Sequence, residues 1–265
     1  MRAATAVFAG VLTALVLALP GTAGPKQAPG YLKPGDIDVL AVLPAAPVPG
    51  DPRYDADRAI FLKTRAMVGS PRWQMATSDV AYGNAAMLKD FSCAAGVELT
   101  VENAPKLVAL VSRVGWDTQT QTVIAKNTFK RQRPFQIDEG EVCQSKEELS
   151  HSYDYPSGHT TGGWTWALVL ADVIPARATE ILARGRAYGE SRIVCGAHNA
   201  SAVEGGRLSA TVTFEAVRNK PAYKKDLKAV RAEMAALLKS PKAKKPAMCE
   251  AEASLVAQDI FKPAP

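Results

Sequence analysis

Apolar residues recur along most of this chain at helical spacing, and they rarely alternate one-on, one-off as a half-buried strand would. The clearest case runs from Glu102 to Lys126, where Leu107, Leu110, Val111 and Val114 fall at i, i+3, i+4 and i+7. That spacing predicts a long amphipathic helix delivering Lys126 near its C-terminal end. Thr160 to Val173 is apolar almost throughout (Trp164, Trp166, Leu168, Val169, Leu170), which predicts a central buried helix. Asp55–Val68, Ala176–Tyr188, Ser201–Val217 and Lys224–Lys239 carry further helical patterns. Ser70-Pro71 has the form of an N-cap with proline at the first helical position. The helix it starts would carry Trp73, Met75, Ala76 and Val80 and run towards Phe91.

The intervening stretches are polar or rich in proline. Pro44, Pro47, Pro49 and Pro52 crowd the segment from Pro25 onward, which reads as an extended arm lying over the domain. Gln136 to Tyr155 reads as a loop. The expected fold is therefore an all-α, single-domain helical bundle with an extended N-terminal arm. Its boundaries are an arm over residues 24–52, a helical domain over 53–240 and a basic, proline-containing tail over 241–265.

The first residues change the picture of where the chain works. Arg2, an apolar run from Ala3 to Leu19, the breaker Pro20-Gly21 and small residues up to Gly24 have the layout of a secretory signal peptide over residues 1–23, cleaved after Ala23. That run is short for a membrane span, so the mature chain is expected to be periplasmic or secreted. Cys93, Cys143, Cys195 and Cys249 fit two disulfides in such a compartment. Three pairings are possible, and Cys93–Cys143 with Cys195–Cys249 is the preferred one. No cysteine pair has the close spacing of a zinc knuckle, so no metal site and no cofactor are expected. The formal net charge is +6, with ten Lys/Arg residues between Arg218 and Lys245. That region lacks the aromatic interleaving of a single-strand binder, so no nucleic-acid partner is expected. It reads as a solvated basic helix and tail that helps draw in anions. A homo-oligomer is left open.

Three islands carry the chemistry. Lys126-Asn127-Thr128-Phe129-Lys130-Arg131-Gln132-Arg133-Pro134 is the first, Pro156-Ser157-Gly158-His159 the second, and Ser191-Arg192 with His198 the third. Singly each has a bland reading: a solvated basic cluster, a turn before a helix, a core histidine. Together, Lys126, Arg133 and Arg192 suit a small multiply charged anion, since guanidinium forks match phosphate oxygens. His159 and His198 suit a transfer reaction with one nucleophile and one proton donor.

In combination, Lys126-x6-Arg133-Pro134, Pro156-Ser157-Gly158-His159 and Ser191-Arg192-x5-His198 resemble the three-part signature of the phosphatidic-acid-phosphatase type 2 superfamily. Within it the chain is most similar to the bacterial class A non-specific acid phosphatases, a likeness that also takes in Tyr31-Leu32, Asp57 to Trp73, Phe91-Ser92-Cys93 and Gly189 to Gly196. The resemblance implies a metal-independent phosphomonoesterase. Lys126, Arg133, Ser157, Gly158 and Arg192 would bind the phosphoryl group, His198 would form a phosphohistidine, and His159 would serve as general acid and base. Its partners would be small phosphomonoesters of many kinds. One departure stands out. The family pattern has an aspartate four residues after the nucleophilic histidine, where this chain has Ala202. Glu204 falls about 240° around a helix from His198, at 100° per residue. Glu190 or a backbone carbonyl are the other substitutes in view. Ala202 keeps open a weakened or inactive phosphate-binding homologue, and the shared anion cradle keeps open a vanadate-dependent haloperoxidase.

Overall fold

The computed structural model describes residues 28–262, so the expected signal peptide lies outside the described residues. Ten α-helices and no strand occur among them. They are α1 Pro52–Thr64, α2 Pro71–Ser78, α3 Asn84–Ala95, α4 Pro105–Phe129, α5 Lys146–Ser150, α6 Gly158–Val173, α7 Ala178–Val194, α8 Ala200–Arg218, α9 Pro221–Lys239 and α10 Cys249–Ala257.

The apolar run predicted to be central is so. α6 packs against α7, α8 and α4, with α9 laid along α4. Leu107, Leu110, Val111 and Val114 of α4 meet Trp166, Val169 and Leu170 of α6, Phe214 of α8 and Tyr223 of α9 in one core. Truncating a fully buried leucine such as Leu170 to alanine removes roughly 2–5 kcal/mol in cores of this kind. The arm has no α-helix; it is extended between a 3₁₀ turn at Val39–Ala41 and hydrogen-bonded turns at Lys33–Asp36 and Val48–Asp51. It is tied down by Asp117 of α4, whose carboxylate accepts from the Tyr31 and Leu32 amides at 2.7 and 3.2 Å. The Tyr31 hydroxyl donates to Asp226 of α9 at 2.7 Å.

Four features differ from expectation. The stretch from Gln136 to Tyr155, expected as a loop, holds the short helix α5, whose first turn Ser145 caps by accepting from the Glu148 amide. The helix starting at Ser70-Pro71 does not run to Phe91 but stops at Ser78, and α3 begins only at Asn84. Asp79 turns inward at that break, accepting from Arg184 at 2.6 Å and from the Ser191 hydroxyl at 2.6 Å. Gly83, at φ 130°, completes the turn in a region closed to most side chains. The tail carries a helix, α10. The disulfides are Cys93–Cys249 and Cys143–Cys195, not the sequential pairs. The first ties α10 to α3; the second ties the loop before α5 to the end of α7, where the Cys143 amide also donates to the Cys195 carbonyl. Both pairings depend on tertiary approach between distant segments, which spacing along the chain does not encode.

Candidate active site

Lys126 stands in the last turn of α4, where the negative end of the helix dipole favours a cation. The helix ends at Lys130, which adopts the left-handed conformation at φ 47°. The chain then turns sharply and sends Arg131 and Arg133 inward, 7% and 4% exposed. Arg131 had looked like part of a solvated cluster; instead its Nη2 pairs with Asp57 of α1 at 2.7 Å.

Ser157 is the N-cap of α6, its hydroxyl oxygen accepting from the Thr160 amide at 3.3 Å and the Thr160 hydroxyl at 2.9 Å. That cap starts the helix at Gly158 and sets His159 in its first turn. A helix N-terminus presents unpaired amides to an anion. Arg192 lies in the last turn of α7 and His198 in the short link to α8.

These elements meet at one cavity of about 460 Å³, lined by Lys126, Arg133, Gly158, His159 and His198. Ser157 and Arg192 stand behind that lining, both fully buried. Arg192 Nη2 donates to Gln144 Oε1, itself at the cavity wall, at 2.7 Å. Its Nε and Nη1 find no partner among the described residues. Buried guanidinium donors without acceptors are costly, and an anion with several oxygens would satisfy them. Lys126 Nζ donates to the Tyr153 carbonyl.

The two histidines are fixed differently. His159 Nε2 lies 3.1 Å from the Val80 carbonyl, so this nitrogen carries the proton and donates. The carbonyl is free because the chain has left its helix at the α2–α3 break. His198 Nε2 lies 3.0 Å from Arg133 Nη1. Arginine has only donors, so Nε2 accepts and the ring proton sits on Nδ1. Nδ1 donates to Asp154 Oδ1 at 2.9 Å.

Asp154 is the functional-site residue that sequence reading missed, left within the polar stretch before Tyr155. Of the expected orienters, Glu204 is exposed on the far side of α8, as its helical angle required. Glu190 is engaged with Arg186 at 2.6 Å and lies 3.8 Å from Arg207.

Burial and surrounding cations depress the basic groups here. Burial first, then Arg133, lowers the Lys126 ammonium to about 7. Burial and Arg192 bring the His159 imidazole down to about 3. Burial, then Arg133, Lys126 and Arg192, holds His198 well below its ordinary value, so it is neutral with a lone pair on Nε2. The three shifts share the same two causes, removal from water and the repulsion of neighbouring positive charge.

The family model of the PAP2 superfamily matches residues 107–225, the span that holds all three islands. An acid phosphatase of Zymomonas mobilis is 39% identical over 199 residues, covering 74% of this chain and 75% of that protein. Non-specific acid phosphatases of Salmonella typhimurium and Providencia stuartii are 35% and 34% identical. They cover 72% and 79% of this chain, and 78% and 86% of their own lengths. The chain belongs to the PAP2 superfamily, among its bacterial non-specific acid phosphatases.

Proposed function

We propose that this protein hydrolyses phosphomonoesters through a phosphohistidine on His198, without a metal ion. The observation that carries this reading is the pairing of a neutral, Nδ1-protonated His198 with two buried guanidiniums, Arg133 and Arg192, and the half-buried Lys126, Arg192 having unsatisfied donors. Lys126, Arg133, Arg192 and the amides at the start of α6 hold the phosphoryl oxygens. Arg133 is drawn to the phosphate and uncovers the Nε2 lone pair. Nε2 then attacks phosphorus in line, and the bond to the ester oxygen breaks. His159, holding Val80 through Nε2, gives the leaving oxygen a proton from Nδ1. A water next attacks the phosphohistidine and yields its proton to His159; the P–N bond breaks and inorganic phosphate leaves. Charge spread over the equatorial oxygens meets donors already in place, the largest source of rate in such transfers.

His159 must be protonated for the first step, and burial with the nearby cations opposes that. A bound phosphoryl dianion opposes the charge of Arg192 and raises its affinity for a proton. Acid conditions favour that form and also keep Lys126 charged, so an acidic optimum follows.

Broad specificity is supported by the shape of the cavity. It opens past Tyr82 and Gln119 into a second space of about 320 Å³, whose lining has no charged side chain. Only the phosphoryl group is gripped ionically. The signal-like leader and two disulfides support a periplasmic or secreted setting, and no described helix is long and apolar enough to cross a membrane. The test is hydrolysis of a chromogenic phosphomonoester across acidic to neutral pH with chelator present, beside His198→Ala. Turnover that survives chelator and is lost in His198→Ala supports the reading; turnover abolished by chelator, or retained by the variant, contradicts it.

A further inference from the structure

The structure assigns to Asp154 the task of positioning the reactive imidazole of His198, a task the family pattern gives to the residue at position 202. The inference rests on reading His198 as the nucleophile.

Asp154 is fully buried, and every neighbour given to its carboxylate is a donor. Oδ1 accepts from His198 Nδ1 at 2.9 Å and from the Asn199 amide at 3.2 Å. Oδ2 accepts from Asn199 Nδ2 at 2.9 Å and lies 3.5 Å from Arg131 Nη1. Burial alone pushes the carboxyl up, while Arg131, Asn199, Arg133 and Lys126 hold it back. Donors on both oxygens match an ionised carboxylate, which is acceptor only. An ionised Asp154 has two effects: it pins the Nδ1–H tautomer, leaving Nε2 free to attack, and it stabilises the positive ring formed when Nε2 bonds to phosphorus.

Two local arrangements bring a loop residue to this place. The Asp154 amide donates to the Arg131 carbonyl at 2.9 Å, and Arg131 is anchored by Asp57 of α1 and by Ser201 of α8 at 2.6 Å. Beyond it, the chain lies flush on small residues of α8. A Cβ at Gly205 would come 2.8 Å from the Tyr155 ring, and one at Gly206 would come 2.8 Å from the Ser157 carbonyl. Fully buried Ala202 continues that small face, and its carbonyl accepts from the Ser157 amide at 2.9 Å. Alanine at 202 and aspartate at 154 therefore belong to one arrangement. The small residue lets the loop settle on α8, and the settled loop supplies the carboxylate to Nδ1. A carboxylate at 202 would be buried beside Asp154, where two like charges oppose each other.

The test is Asp154→Asn, whose amide can equally donate to Nδ1 and so favour the wrong tautomer. Expected is a fall in kcat of about 10²–10⁴-fold, with phosphate binding by calorimetry weakened less than about tenfold and the far-UV spectrum unchanged. A kcat within about threefold of native in folded Asp154→Asn would overturn the inference. So would equal losses of kcat, phosphate affinity and melting temperature, which mark a purely structural role. The native protein offers a check independent of folding: nitrogen NMR of His198 should show Nδ1 protonated and Nε2 bare, and the reverse tautomer would also overturn it. Absence of turnover in the native chain would instead remove the phosphatase reading, and this inference with it.

Discussion

Arg133 Nη1 stands 3.0 Å from His198 Nε2, so the atom proposed to attack phosphorus is covered by one of the cations proposed to bind the substrate. The same nitrogen donates to the Ala197 carbonyl at 2.8 Å, and Nε donates to the Ser152 carbonyl at 2.7 Å. Two carbonyls thus hold the fork beside the ring, and a phosphate oxygen has only to compete for the face turned to His198. Substrate binding and uncovering of the nucleophile become one event. Arg133→Lys keeps charge but loses the fork, at a cost of about 1.5–3 kcal/mol for a charge-assisted bond. Steady-state kinetics should show kcat/KM lower by roughly 10–100-fold, with the melting temperature also lower because the Ser152 and Ala197 carbonyls lose buried donors.

A tetrahedral dianion should stabilise the protein more in acid than in base. Lys126 has its folded value lowered to about 7, so it carries most of its charge below that pH and loses it as pH rises through it. The rise in melting temperature at fixed sulfate, whose own charge is constant over this range, is a direct report of binding to the folded state and should therefore shrink between pH 6 and 8. A shift that grows over that range would mean that Lys126 is not part of the cradle.

Without phosphate, acid should destabilise. With its folded value brought to about 3, His159 stays neutral in the folded protein while the unfolded chain takes up a proton near its ordinary value of 6.5. Over that window the unfolded state binds more protons, so stability falls as pH drops from about 6.5 towards 3. His198 acts in the same direction. Denaturant midpoints of native protein and of His159→Asn, measured from pH 7 to 4, should converge as the native protein loses its advantage.

The two disulfides should differ in what they protect. Cys143–Cys195 spans 52 residues, including the Ser157 turn, and flanks Gln144 and Arg192. Chain-entropy arguments give about 4 kcal/mol for a loop of that size. Its serine pair should lower both melting temperature and kcat/KM. The serine pair at Cys93 and Cys249 frees only α10 and should lower the melting temperature with kcat near native.

Ala202→Asp alone should not improve the enzyme, although the family pattern taken by itself suggests that it would. With Asp154 already on the ring, a second buried carboxylate has no free partner and disturbs the contact with Ser157. Stopped-flow phosphorylation should be slower than native. A faster rate would mean that Asp154 orients His198 poorly.

Much of this site was legible because its chemistry sits in short, local spellings. Lys126 to Pro134 reads as a helix end followed by a basic cluster that suits an anion, and Pro156 to His159 as a turn at the start of a helix. What stayed hidden depends on approach between elements. Asp154 looks like one more polar residue in a loop until Gly205 and Gly206 draw that loop onto α8. Arg131 looks solvated until Asp57 and Ser201 meet it. The break between α2 and α3 has weak local signals in Asp79 and Gly83, but its place is set by burial of Asp79 against Arg184, a tertiary contact. Yet that break frees the Val80 carbonyl that fixes His159.

The central claim is a covalent bond between phosphorus and His198. The direct measurement is rapid mixing of the protein with a fast-leaving aryl phosphate, quenching in base where phosphohistidine survives, and mass spectrometry of the digest. The account predicts one added phosphoryl group on the peptide containing His198, appearing before steady state and absent in His198→Ala. Full turnover with no phosphorylated peptide at any time, and product formed by a single displacement with inversion at phosphorus, would contradict it.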